Sequence, residues 1–171
     1  MTADDVLAVS TVRVSGWRAA YAGLVPAGYL DRMSVEADAE RRRDSFGGDA
    51  RVQNLVAELG GEVVGWGVMG PCRDEGCEDD HGEIYALYVA PPVIGAGVGR
   101  ALMRELVARA DAASYPWLSL WVLRDNHRAR RFYERAGFHW DGGQLSWHVD
   151  GEVVPEVRYR RSLEGSRRFD P

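Results

Sequence analysis

The run from Leu87 to Leu102, LYVAPPVIGAGVGRAL, is where residue type and spacing most clearly suggest chemistry. An apolar stretch ends at Pro91 and Pro92. A glycine-rich loop follows, Ile94-Gly95-Ala96-Gly97-Val98-Gly99-Arg100, and passes into a helical pattern. The first turn of a helix leaves backbone N–H groups unpaired and carries a partial positive charge, so it attracts phosphate. Glycine lets that backbone approach a phosphate closely. A pyrophosphate would fit here. A tight strand-to-helix turn that binds nothing uses the same residues, and glycine clusters match by chance often enough that this loop alone does not decide. The spacing is G-x-G-x-G rather than G-x-G-x-x-G, and no early strand starts a doubly wound sheet, which argues against a dinucleotide-binding oxidoreductase.

A second segment, NHRARRFYERAGF from Asn126 to Phe138, carries an asparagine at a helix start and a tyrosine two turns later. Two turns bring Asn126 and Tyr133 to the same helix face. Phe132 and Ala136 read as core, and packing alone would also explain Tyr133.

Together, in this order, the two segments resemble the acyl-CoA-binding motifs of the GNAT N-acetyltransferases. Leu87, Val89, Pro91, Gly95, Gly97 and Gly99 follow the family's strand and pyrophosphate loop, while Ile94 stands where a basic or amide residue usually opens it. The resemblance implies that Leu87, Tyr88, Val89 and the loop Ile94, Gly95, Ala96, Gly97, Val98, Gly99 and Arg100 hold acetyl-CoA, mainly through backbone. It implies that Asn126 contacts the pantetheine arm and that Tyr133 stands by the sulfur as the acid for the departing thiolate. A backbone N–H near Leu87 to Val89 would face the developing oxyanion. Trp17, Tyr21, Gly23, Leu24, Pro26, Leu30 and Asp31 resemble a further run of one GNAT branch. There Trp17 and Tyr21 would line the acceptor side or pack beneath it.

An amine must be neutral to attack, so a base is needed. Glu83, at the start of the strand before the loop, is one candidate. Alternation would put Glu83, Tyr85, Leu87 and Val89 on one face. An exposed strand-end residue is an equally good reading of Glu83. His81 is a second candidate on the substrate side, since an unperturbed imidazole exchanges protons near neutral pH, and a water relay is a third route. The acidic stretch Asp74, Glu75, Glu78, Asp79 and Asp80 would guide a cation, or is a solvated loop.

Periodicity supplies the elements that must position these groups. Val6 to Tyr21 reads as a helix despite its valines, Pro26 to Leu30 as a short second helix, and Ser34 to about Phe46 as a third. Val52–Leu59 and Val63–Met69 read as a hairpin turning at Gly60-Gly61. Then come a loop from Pro71 to Gly82, a strand Glu83–Ala90, a helix Gly97–Ala112 with Leu102, Leu106 and Ala110 on one face, a strand Trp117–Leu123 and a helix Asn126–Ala136. The strands Phe138–Val149 and Val153–Arg161 close the order. The fold class expected is α/β (α+β): a GNAT-like mixed, mostly antiparallel sheet flanked by helices. The first strand usual in that family is missing or truncated, or lies upstream. Residues 1–163 form the expected single domain, and 164–171 a polar tail.

Composition fits this reading. The chain has 171 residues, 46% hydrophobic and 27% charged, which is that of an ordinary folded domain. A formal net charge of -5 disfavours nucleic acid, which needs clustered positive charge. No signal peptide is read at the N-terminus, and Pro91, Pro92, Gly95, Gly97 and Gly99 break up the one long uncharged stretch, so no membrane span is expected. Cys72 and Cys77 could pair, bind a metal or do neither. Two thiols make no disulfide framework, so a cytoplasmic protein without a metal site is expected. The expected activity is acetyl-CoA-dependent acetylation of a primary amine, small or peptidic, with a homodimer as a reasonable assembly. A non-catalytic acyl-CoA sensor of the same fold is the alternative.

Overall fold

In the computed structural model, residues 1–45, 47–77 and 80–163 are described. A short 3-10 turn at Ala3–Asp5 leads into helix α1 (Val6–Ala20), followed by α2 (Ala27–Asp31) and α3 (Val35–Ser45). Strands β1 (Gln53–Leu59), β2 (Glu62–Pro71) and β3 (Gly82–Val89) precede helix α4 (Val98–Ala112). Strand β4 (Trp117–Leu123), helix α5 (His127–Arg135) and strands β5 (His139–Val149) and β6 (Glu152–Ser162) complete the order. These elements match the expected ones to within a few residues. The expected polar tail and Phe46 lie outside the described residues, as do Glu78 and Asp79 of the acidic stretch. No strand precedes α1 among the described residues.

The six strands form one sheet in the order β1-β2-β3-β4-β6-β5. Every neighbouring pair is antiparallel except β3 and β4, which run parallel. Alternation on β2 sorts the layers. Trp66 and Val68 meet Val9 of α1 on one face, while Met69 joins Leu102, Met103 and Leu106 of α4 on the other. α1 is a helix despite its β-branched residues because Val6, Val9, Val12 and Val14 are all buried against the sheet and α3. Such packing outweighs their modest propensity cost. Arg13 on α1 and Arg41 and Arg42 on α3 converge on the buried carboxylate of Asp38.

Two features of the sheet shape the site. First, β3 bulges: Val68 pairs with Ala86 and Met69 with Ile84, so Tyr85 has no partner on β2. The bulge resets the alternation. Ile84 and Leu87 face α4, whereas Tyr85 and Tyr88 face α1. The expectation that Glu83, Tyr85, Leu87 and Val89 share one face is therefore corrected: the extra residue at Tyr85 turns Leu87 to the opposite side. Second, β3 and β4 are paired only over Gly82–Ile84 with Leu118–Leu120. Beyond Ile84 the two strands are not hydrogen-bonded to each other, which frees the β4-facing edge of β3 just before the glycine-rich loop.

Candidate active site

The glycine-rich loop enters α4 through Gly95 and Gly97, both with φ of 95°. This left-handed region is costly for any residue with a Cβ. No side chain caps α4, so its first N–H groups point outward from a loop in which Ile94, Gly95 and Ala96 are exposed. A cradle of backbone donors with no competing side chain fits a pyrophosphate. A Cβ built on Gly99 would lie 3.6 Å from Val89 Cγ2 and 3.7 Å from Phe132. The loop, the end of β3 and α5 thus meet at one place, which joins the two sequence segments in space.

On α5, Asn126 is buried and its Oδ1 accepts a 3.0 Å hydrogen bond from the Ala129 amide. This caps the helix and leaves the amide nitrogen to donate elsewhere. Tyr133 packs edge-on against Phe132 and Phe138. Its hydroxyl has no hydrogen-bond partner among the described residues. Burial, with the neighbouring Tyr88 hydroxyl, pushes its pKa well above the ordinary tyrosine value, so it holds its proton at neutral pH.

Across β3 lies a cleft of about 480 Å³ whose walls include Trp17, Tyr21, Tyr88, Trp121, Trp147 and Glu156. Trp17 and Tyr21, read from sequence as either pocket or core, are both. They line the cleft and also pack against a cluster built on Val25, Leu30, Leu123, Val149 and Val154. Trp17 meets Tyr21 at 4.8 Å and Trp147 at 5.9 Å between ring centroids, both edge-on. The Tyr21 and Tyr88 hydroxyls are 3.5 Å apart. Tyr88, expected to serve acetyl-CoA through its backbone, also sends its ring to this side.

Glu83 lines the same cleft but is only 2% exposed and already engaged. Its two oxygens accept hydrogen bonds from the Arg73 backbone N–H at 2.8 Å, from Nε at 3.2 Å and from Nη2 at 2.5 Å. His81 does not line the cleft; its Nδ1 lies 2.9 Å from the Asp80 carboxylate. Cys72 and Cys77 are joined to each other, and the disulfide brackets Arg73 and Asp74. Asp74 accepts hydrogen bonds at 2.8 Å from Trp121 Nε1 and from Arg158. Of the acidic stretch, Asp74 is therefore part of the cleft wall rather than a free surface charge.

Sequence reasoning missed Trp121, Trp147 and Glu156. The two tryptophans read as ordinary strand residues, and a single glutamate on a strand carrying Arg158, Arg160 and Arg161 reads as solvent-facing.

An uncapped glycine-rich helix start, a splayed strand edge and a half-buried tyrosine near the end of α5 form one arrangement, and the model of the acetyltransferase (GNAT) family matches residues 17–138, which include all three. The chain belongs to the GNAT family. A probable N-acetyltransferase of Mycobacterium tuberculosis is 35% identical over 106 residues, 61% of this chain and 58% of that protein. A mycothiol acetyltransferase of Nocardiopsis dassonvillei is 43% identical over 61 residues, 35% of this chain and 18% of the relative. The chain thus spans about three fifths of the first relative's length and under a fifth of the second's. Among solved structures, a putative phosphinothricin N-acetyltransferase superposes with a TM-score of 0.76 at 21% identity over 95% of both chains. The PaiA N-acetyltransferase of Thermoplasma acidophilum in complex with coenzyme A gives 0.72 at 16% identity, over 95% of this GNAT chain and 96% of that one. At these identities the structures share the fold. No helix among the described residues is long and apolar enough to cross a membrane.

Proposed function

We propose that this GNAT protein transfers the acetyl group of acetyl-CoA to a primary amine by direct attack. The observation that carries the reading is the junction at Gly99, where the uncapped start of α4, the end of β3 and α5 converge. Backbone N–H groups from Gly95 to Arg100 would bind the pyrophosphate, with Ile94 contributing no polar contact. The free edge of β3 from Tyr85 to Val89 would run along the pantetheine arm and offer an N–H to the acetyl oxygen. Asn126 would donate to the arm through its uncommitted amide nitrogen. Tyr133, held protonated by burial, would supply the proton that the departing sulfur needs. The acceptor would enter from the aromatic cleft on the α1 side of β3.

A non-catalytic acyl-CoA sensor would use the same cradle. It would have no use for a tyrosine hydroxyl that is unpartnered among the described residues and set near the Tyr21 and Tyr88 hydroxyls of the cleft, and this favours the enzyme. Calorimetric titration with acetyl-CoA, with NAD and ATP as controls, is the direct test. Saturable binding of acetyl-CoA alone is expected; absence of binding would remove both readings.

A further inference from the structure

Three carboxylates line the cleft, and two are already committed. Glu83 is held by Arg73, and Asp74 by Arg158 and Trp121. The third, Glu156 on β6, makes no hydrogen bond or ion pair among the described residues. In the sheet it lies between Leu123 on β4 and Leu145 on β5, and both leucines line the same cleft. The ionisable groups around it come from every neighbouring element. Tyr21, just past the end of α1, and Tyr88 on β3 sense its charge. Arg158, two residues along its own strand, is tied to Asp74 and Asp141, and Arg73 is tied to Glu83. Among the described residues no cation neutralises Glu156. Burial in these apolar surroundings raises its carboxyl above the ordinary value, which makes the carboxylate a stronger base.

We propose that Glu156 is the group that takes the proton of the acceptor, and that the acceptor is a primary ammonium on an apolar body. This rests on the acetyl-transfer reading given above. The aromatic walls at Trp17, Tyr21, Tyr88, Trp121 and Trp147 suit an apolar body and a cationic head, and Glu156 supplies the missing counter-charge. The ammonium has two protons to lose. Glu156 takes the first and yields the neutral amine. The nitrogen lone pair then forms the C–N bond to the acetyl carbon while the C–S bond breaks with its electron pair on sulfur. The second proton leaves nitrogen as the first product forms and replaces the one that Tyr133 gives to sulfur. Glu156 returns its proton to water through the open side of the cleft.

The test uses 2-phenylethylamine as acceptor and phenylalanine as its carboxylate-bearing counterpart, with thiol release as the readout. Glu156→Gln is expected to lower kcat/KM for 2-phenylethylamine roughly 100-fold or more and to abolish the acid limb of its pH profile. The Kd for acetyl-CoA should stay within about twofold, and Glu156→Asp should restore part of the rate. Phenylalanine should be at least about tenfold poorer, because its carboxylate would face Glu156. A Glu156→Gln enzyme with wild-type kcat/KM and pH profile overturns the proposal. Failure of the wild type to bind acetyl-CoA would instead defeat the acetyl-transfer reading. A wild type that binds acetyl-CoA and acetylates phenylalanine as well as 2-phenylethylamine, or acetylates neither, overturns the acceptor class. A second measurement needs no turnover: the Glu156 carboxyl, followed by carbon NMR in the CoA complex, should titrate above an ordinary glutamate and move down when 2-phenylethylamine is added. A normal midpoint that ignores the amine overturns the base role. Folding of the variant is checked by melting. The unfolded chain loses this proton at lower pH than the folded one, so stability falls as pH rises through that interval. Glu156→Gln should therefore melt no lower than wild type at pH 7.

Discussion

At the residue scale, what separates the site's polar groups is whether they already have partners. Glu83 looks ideal on paper, a carboxylate at the start of the strand that leads to the cradle. Its three bonds from Arg73 make it a brace for the loop, because taking a proton would give up that pairing. Tyr133 is the opposite case. Its hydroxyl makes no hydrogen bond among the described residues, so removing it should cost little stability. Tyr133→Phe is expected to keep the melting temperature and the acetyl-CoA affinity of wild type while kcat falls about 100-fold. Unchanged kcat in single-turnover and steady-state assays would remove Tyr133 from the chemistry. Tyr133 was marked as a candidate in the sequence by its place, with Asn126, in a one-helix segment that resembles a GNAT motif. Glu156 was not, since its apolar neighbours Leu123 and Leu145 come from other strands and no local spacing connects them.

At the element scale, the cradle is only as well placed as the helix that carries it. Gly65 and Gly67 on β2 set that placement. A Cβ on Gly65 would lie 2.9 Å from Val98 Cγ1 and from Leu102 Cδ1, and one on Gly67 would lie 3.0 Å from Leu106. These glycines let α4 sit close on the sheet, and Val98 belongs to the first turn, where phosphate would bind. Gly65→Ala is expected to destabilise the fold by about 1–3 kcal/mol through overpacking. By lifting the start of α4 it should also weaken acetyl-CoA binding roughly tenfold, equivalent to about 1.4 kcal/mol. Thermal melts and calorimetry read the two effects separately; an unchanged Kd would mean that the helix start is not seated through Val98. The elements themselves were legible, since turn glycines and changes of period mark nearly every boundary. The bulge was not. Glu83 to Val89 alternates smoothly enough to hide an unpaired Tyr85, which depends on pairing with a strand more than ten residues earlier.

At the scale of the whole molecule, β3 divides two jobs between its ends. The C-terminal end, freed from β4 after Ile84, meets the cradle. The N-terminal end is bound to the loop that walls the cleft, through the Cys72 amide on the His81 carbonyl and Arg73 on Glu83. The Cys72–Cys77 bond closes that loop around Arg73 and Asp74, and Asp74 ties it on to Trp121 and to Arg158 of β6. The sequence showed two nearby cysteines and an acidic stretch; that Asp74 belongs to the cleft wall, in a loop the cysteines close, depends on Trp121 of β4 and Arg158 of β6, which no local spacing connects to it. The two ends should therefore respond separately. Replacing both Cys72 and Cys77 by serine should cost up to about 2 kcal/mol, the loop-closure entropy of so short a ring. It should raise KM for the amine severalfold, because Arg73 and Asp74 lose their tether, yet leave the acetyl-CoA Kd within about twofold. Equal losses in both affinities would show that the cleft wall and the cradle move as one body, and the partition of labour along β3 would have to be given up.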